Sequence, residues 1–456
     1  MTQKDGAGPR HVLFLQGPLS ELYSLLGERL RQEGLRVSRI NFNIGDALFW
    51  RAGGARAFKG KKEAWRGFIA RYLDQNAVTD LVLHGDQRFY HRIAIEEALV
   101  RGVYVAVSEL GLLRPDWTTF ERNGTSVQSH FPEDPAAIRA IAEAAPAVDF
   151  KPLYKTSFRR VAVPDMVYNL LNTALWFLSP HYQRHTPGFP PVEYMAHGLR
   201  MLGKQRRERI VALLLDDLKI SGQPVFLVPL QLDGDFQIRA NSPYSNMAEA
   251  LEEIVNSFHR AAPQNAVLLV KSHPLDDGTG GHLRTLRALA HGYGLAGRLH
   301  FADGGDLMAM AALARGAVTV NSTAGLELMM RGVPVKTLAP AIFDIQGLTD
   351  PKKLDLFWNQ PHPVDVEMLA AFIKAIAATI QVRGTIYDEQ GIRHLVDTMS
   401  ERLIFRLCNE PLGFADKAPR RKKLDDLLLA HSRFTLKGRE ATATRSSSPK
   451  AIIGSL

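Results

Sequence analysis

The chain has 456 residues, 46% of them hydrophobic and 23% charged, which is ordinary for a globular protein with room for two full-sized cores. Its one cysteine, Cys408, excludes an internal disulfide and suits a reducing compartment. No run approaches the roughly 18 apolar residues of a spanning helix, and the first ten residues are too polar for a signal peptide, so the expected location is cytoplasmic.

The net charge of +9 is uneven. Residues 51–71 hold seven Lys/Arg against one acid, and residues 417–450 hold ten against three, which leaves −4 for the rest. On this count the basic character is confined to two places. Such patches attract phosphates, on nucleic acid or on an anionic membrane. A solvated helix face and a disordered tail explain the same residues.

In chain order, residues 11–16 read as a strand and 19–32 as an amphipathic helix. Residues 35–42 follow as a strand, 61–76 as a helix, 80–84 as a strand, 88–100 as a helix and 102–107 as a strand. Residues 123–205 are proline-rich and lose this rhythm, as expected of helices, loops and an interdomain connection. The rhythm returns with strands at 225–229, 266–271, 299–302, 317–321 and 334–338, and helices between them such as 246–258 and 306–315. The predicted fold is α/β, with two facing Rossmann-like domains at 1–200 and 201–416 and a basic, disordered tail at 417–456. Such sheets bind ligands beyond the carboxyl ends of their strands, so the polar clusters that follow strands are the candidate sites.

After the strand at 317–321 comes Asn321-Ser322-Thr323-Ala324-Gly325-Leu326-Glu327. A turn of small hydroxyl residues opening a helix offers N–H groups and hydroxyls to an anion; an ordinary helix N-cap accounts for it equally. Glu327, one turn into the helix, can reach a ribose hydroxyl or serve only as a favourable first-turn acid. Lys271-Ser272-His273-Pro274 follows the strand at 266–271 and puts a histidine at the cleft mouth, where it can hydrogen-bond or charge-pair with a leaving phosphate or serve structurally. Gln231-Leu232-Asp233-Gly234-Asp235 follows the strand at 225–229; its Asp-x-Asp spacing holds Mg²⁺ or Mn²⁺ in some transferases, but it is common in solvated turns. In the first half, His84-Gly85-Asp86 ends one strand, and Glu109, Gly111 and Glu121 follow the next. Carboxylates there can supply a base or nucleophile for glycosyl transfer, although any one of them alone is more often a surface residue or cap. Between residues 49 and 72, Trp50 and Trp65 interleave with Arg51, Lys59, Lys61, Lys62 and Arg66, a pattern that suits an anionic lipid surface, single-stranded nucleic acid or a buried helix face.

Together, Phe14-Leu15-Gln16-Gly17-Pro18, Asn41-Phe42-Asn43, Gly85-Asp86, the stretch from Glu109 to Glu121, Val228-Pro229-Leu230-Gln231, His273-Pro274 and Asn321 to Glu327 resemble the capsule polysaccharide synthesis family, specifically the β-Kdo transferases of lipid-linked bacterial capsules. The resemblance runs from about residue 11 to 350. It implies the glycosyltransferase-B architecture, a CMP-Kdo donor, no metal or other cofactor, and transfer of Kdo onto a phosphatidylglycerol-type lipid at the cytoplasmic face of the inner membrane. By it, His273, Ser322 and Thr323 hold the CMP phosphate and Glu327 the ribose. Glu109 and Gly111 keep part of an acidic-acidic-glycine motif whose second acid is Leu110 here, and Glu121 stands as nucleophile or base. The implied partners are the donor, an anionic phospholipid, the membrane surface and other capsule synthesis and export proteins, not nucleic acid. The rivals are a transferase for another nucleotide sugar and a non-catalytic export component.

Overall fold

The alternation of apolar runs with amphipathic helices builds two sheets, and the computed structural model describes residues 10–184 and 188–446, the side chains of Phe158 and of 433–446 excepted. Residues 1–9, 185–187 and 447–456, the polar N-terminus and the end of the basic tail among them, lie outside the described residues.

The first sheet has seven strands in the order β12-β6-β5-β4-β1-β2-β3. These are β1 (His11–Phe14), β2 (Arg36–Asn41), β3 (Ala55–Ala57), β4 (Asp80–His84), β5 (Tyr104–Leu110), β6 (Trp117–Arg122) and β12 (Gln381–Arg383). β1 to β5 are parallel; β6 and β12 are added antiparallel at one edge. The second sheet is wholly parallel, in the order β11-β10-β7-β8-β9, from β7 (Val225–Pro229), β8 (Val267–Lys271), β9 (Leu299–Ala302), β10 (Ala314–Thr319) and β11 (Val335–Thr337). β4, β7 and β8 are buried throughout or nearly so, as strands covered by helices on both faces must be. Two doubly wound domains therefore face one another, the glycosyltransferase-B arrangement.

Local chemistry sets the helix starts. Asp134 caps the helix Pro135–Ala144 by accepting from the N–H groups of Ala136 and Ala137, with proline at the first turn. Asn246 caps Met247–Ala261, whose Leu251, Ile254, Val255 and Phe258 face the core.

Three expectations need correction. The unit 201–416 does not stay together: β12 pairs with β6, and the helix Glu389–Ile404 packs on Leu22–Gln32, so the chain returns to the first domain. Residues 117–122, given no element from the sequence, form β6, with Glu121 opposite Val107 in the ladder. The tail begins as the helix Pro419–Ser446, and Arg420 and Leu424 in it are buried. Among the described residues no helix is long and apolar enough to cross a membrane.

Candidate active site in the interdomain cleft

Both sheets aim their strand ends at one cleft of about 490 Å³. On the second domain, strand order reverses between β7 and β10, the switch point where such sheets bind ligands. Gln231 follows β7 and Asn321 follows β10. Gln231 Nε2 donates to Asn321 Oδ1 at 3.0 Å, and Asn321 Nδ2 donates to the carbonyls of Gln237 and Asn241. Both amides are engaged with protein, so these two hold the cleft floor rather than reach for a donor. Gly325 is also a positioning residue: a Cβ there would stand 3.1 Å from the Phe343 ring, which lines the cleft.

Lys271, His273, Pro274, Ser322, Thr323 and Glu327 all line the cleft. Lys271 is buried, which lowers its pKa, with Asp306 and Asp303 opposing. Burial, then Arg114 and Lys271, push His273 down to about 4. It is therefore neutral at physiological pH, so of the two expected contacts with phosphate, hydrogen bonding and charge pairing, the first remains. The Leu275 N–H donates to His273 Nδ1 at 3.1 Å, so Nε2 carries the proton and is the free donor. The turn at 322–325 is partly self-satisfied: the Ala324 N–H donates to Ser322 Oγ and the Gly325 N–H to the Ser322 carbonyl. Its hydroxyls, more than its backbone, remain to meet an anion.

On the first domain three acids converge. Asp86 is buried behind the wall and accepts from the Thr125 N–H at 2.9 Å; burial raises it to about 6. Glu109, at the end of β5, lines the cleft, and burial with the nearby Asp86 charge raises it to about 7, Arg88 opposing. Glu121 is 1% exposed. Ser129 Oγ–H donates to its Oε2 while Oε1 has no partner, and burial raises it to about 8 against the pull of Ser129 and Arg420. Gly111 lets the β5–β6 connection close, because a Cβ there would fall 2.1 Å from the Trp117 carbonyl oxygen. Gly111→Ala should therefore pry β6 from β5 and lower the melting temperature by several degrees, measured by circular dichroism, through an overpacking cost of about 1–3 kcal/mol.

The profile of the capsule polysaccharide biosynthesis protein family matches residues 79–387, a span that includes the acids and the facing strand-end cluster. The chain belongs to this family. It is 27% identical over 382 residues to the Escherichia coli capsule polysaccharide export protein KpsS, covering 83% of this chain and 97% of that protein. It is 27% identical over 400 residues to the Neisseria meningitidis capsule polysaccharide modification protein LipB, covering 83% and 92%. Among solved structures, KpsC from Thermosulfurimonas dismutans, a β-Kdo 2,7 transferase, superposes with a TM-score of 0.41 at 14% identity, over 86% of this chain and 100% of that one. MurG from Acinetobacter baumannii gives 0.30 at 12% identity, over 86% and 100%.

Two residues of this family member were missed as site residues by sequence reasoning. Arg114 lines the cleft, and its charge acts on His273, Asp235 and Glu327 of the facing domain. Arg420 is buried at the junction and donates to the Phe131 and Pro132 carbonyls on one side and to those of Ala341 and Ile342 on the other. The Asp-x-Asp pair does not act as a unit. Asp235 caps a helix through the Gln237 N–H, while Asp233 accepts from the Met247 N–H and lies 3.7 Å from His282.

The segment 51–71 stands apart from this cleft. Trp65 is fully buried among Phe42, Phe58 and Tyr90, and Trp50 packs on Phe14. The aromatics serve the core, which overturns their expected lipid contact. Arg51, Lys59, Lys61, Lys62 and Arg66 stay exposed, with Arg66 paired to Glu96 and Glu97.

Proposed function

We propose that the chain is a retaining glycosyltransferase that moves Kdo from CMP-Kdo onto a phosphatidylglycerol-type lipid, as a peripheral protein of the inner membrane working beside other capsule synthesis and export proteins. The observation that carries this reading is the facing of Glu109 and Glu121 across one cleft from the anion-directed set Lys271, His273, Ser322 and Thr323. In it, His273 Nε2–H, the Lys271 ammonium and the two hydroxyls hold the donor phosphate, and Glu327 takes a ribose hydroxyl. The Glu121 carboxylate attacks the anomeric carbon as its bond to the phosphate oxygen breaks and CMP leaves. The acceptor hydroxyl then displaces Glu121 and passes its proton to Glu109. No metal is assigned a part, since Asp235 caps a helix and Asp233 accepts from the Met247 N–H. The test is incubation with CMP-Kdo and a fluorescent phosphatidylglycerol analogue in EDTA, read by mass spectrometry. One Kdo increment is expected; no product with intact donor and folded protein would overturn the assignment.

The pH dependence follows from the raised carboxyls. Glu109 and Glu121 act only when ionised, and their values of about 7 and about 8 lie above the ordinary range. Activity should therefore be lost as pH falls through 8 and then 7, and kcat/KM should rise on the alkaline side. Ser129→Ala removes a hydrogen bond that favours the ionised form of Glu121. The upper limb of the kcat/KM profile should then move to higher pH.

A further inference from the structure

We propose that the helical hairpin made by Phe158–Ala174 and Pro190–Leu202 seats the protein on an anionic phospholipid bilayer. This deepens the lipid-acceptor reading above, but it rests on different residues. The hairpin's inner face is polar and fixed. Tyr194 Oη donates to Asp165 Oδ2 at 2.6 Å and accepts from Asn169 Nδ2 at 3.0 Å, which joins the two helices. On the first domain, Tyr168 accepts from Asn43 Nδ2, and Asn172 Oδ1 accepts from the Gly45 N–H. On the second, Arg200 and, through the next helix, Arg207 hold Asp303, two residues before Gly305 at the cleft wall. The hairpin thus spans from one domain to the other beside the cleft.

Its outer face is apolar and uncovered. Val163, Met166, Val167 and Leu170 fall at i, i+3, i+4 and i+7 on the first helix and are all exposed. Val192, Met195 and Leu199 form the corresponding stripe on the second. At the end of the first helix Trp176 and Phe177 are 64% and 58% exposed. Residues 151–210 carry ten Lys/Arg against three Asp/Glu, a third basic region beyond the two read from the sequence. Arg159, Arg206 and Arg209 are exposed and without a carboxylate partner among the described residues. An exposed apolar stripe with aromatics, flanked by cations and too short to span, suits the interface of an anionic bilayer. The surplus of cations argues for that surface over a second copy of this equally basic chain, and a cleft at the hairpin's side would open toward lipid headgroups.

The experiment is flotation of the full chain with mixed phosphatidylglycerol–phosphatidylcholine vesicles and with pure phosphatidylcholine vesicles, without donor. Binding to the mixed vesicles alone is expected. Val163→Glu with Leu199→Glu should weaken it by about tenfold or more, and Arg159→Glu with Arg206→Glu by about tenfold, all four positions being exposed. Unchanged binding in either double variant, or no binding by the parent, overturns the inference. A change of oligomeric state in the first variant without vesicle binding by the parent also overturns it, in favour of a protein partner. Transfer to a dispersed short-chain acceptor, run in parallel, separates the two readings. Vesicle binding without transfer sinks only the proposed activity, and transfer without vesicle binding sinks only this surface.

Discussion

Glu121→Gln is expected to lower kcat by roughly 10²- to 10⁴-fold while the KM for donor moves little, and at the same time to make the protein more stable at alkaline pH. The two effects have one cause. Glu121 is buried and accepts from Ser129 at Oε2, while Oε1 has no close partner among the described residues. Its pKa rises from the ordinary carboxylate range to about 8 because the folded state disfavours the charge. The folded protein therefore binds this proton more tightly than the unfolded chain does. Stability must fall as pH climbs from about 5 through 8, by up to a few kcal/mol from this group alone. An amide keeps the shape and an acceptor for Ser129 but cannot ionise or attack, so the variant loses turnover and escapes that penalty. Urea denaturation at pH 5 and pH 9 checks the stability arm, with the parent losing more between the two than the variant. A purely structural role predicts the opposite, with stability and activity lost together at both pH values. Full transfer activity in the variant would remove the nucleophile assignment and pass that role to another group of the cleft.

Much of this arrangement was legible in the sequence because doubly wound domains announce themselves. Short apolar runs such as residues 80–84 and 225–229 alternate with amphipathic helices, and the polar residues directly after them, Glu109, Gln231, His273 and Ser322, had to lie at the strand ends. What failed to read was decided by distant partners. β6 and β12 are polar and short, with Thr118, Thr119 and Glu121 in one and Gln381 and Arg383 in the other, and only their pairing makes them strands. The aromatics of 49–72 carry the composition of a lipid contact, yet Phe42 and Tyr90, on other elements, enclose Trp65. Conversely, the stripe Val163 to Leu170 lies in a segment interrupted by Pro164, within a stretch read only broadly as helices, loops and a connection, and its helical spacing was not singled out. Gln231 and Asn321 stood among the candidate residues after strands, whereas the hydrogen bond between them could be known only once β7 and β10 were adjacent.

Arg420 is the sharpest case of a charge whose place the sequence could not give, and Arg420→Ala is the second large effect expected. In a run of Arg420, Arg421, Lys422 and Lys423 it looks like one of several solvated cations, yet it is fully buried. Its guanidinium donates to four carbonyls, from 2.8 Å to Phe131 to 3.3 Å to Pro132, with Ala341 and Ile342 between. A planar fork with several donors can span such a set, which a lysine cannot. Removing it leaves four buried oxygens without that donor, so the variant should lose at least about 3 kcal/mol in urea denaturation. Ala341 and Ile342 line the cleft opposite Glu121, and the Arg420 charge is one of the forces holding the Glu121 pKa down. Loss of that charge should raise Glu121 further and move the upper limb of the kcat/KM profile to higher pH. Arg420→Lys separates the two contributions, because it keeps a positive charge but not the four bonds. It should restore most of the pH profile while remaining less stable than the parent. If the lysine variant shifts the profile as far as alanine does, Arg420 acts on the site only by holding the two domains in register.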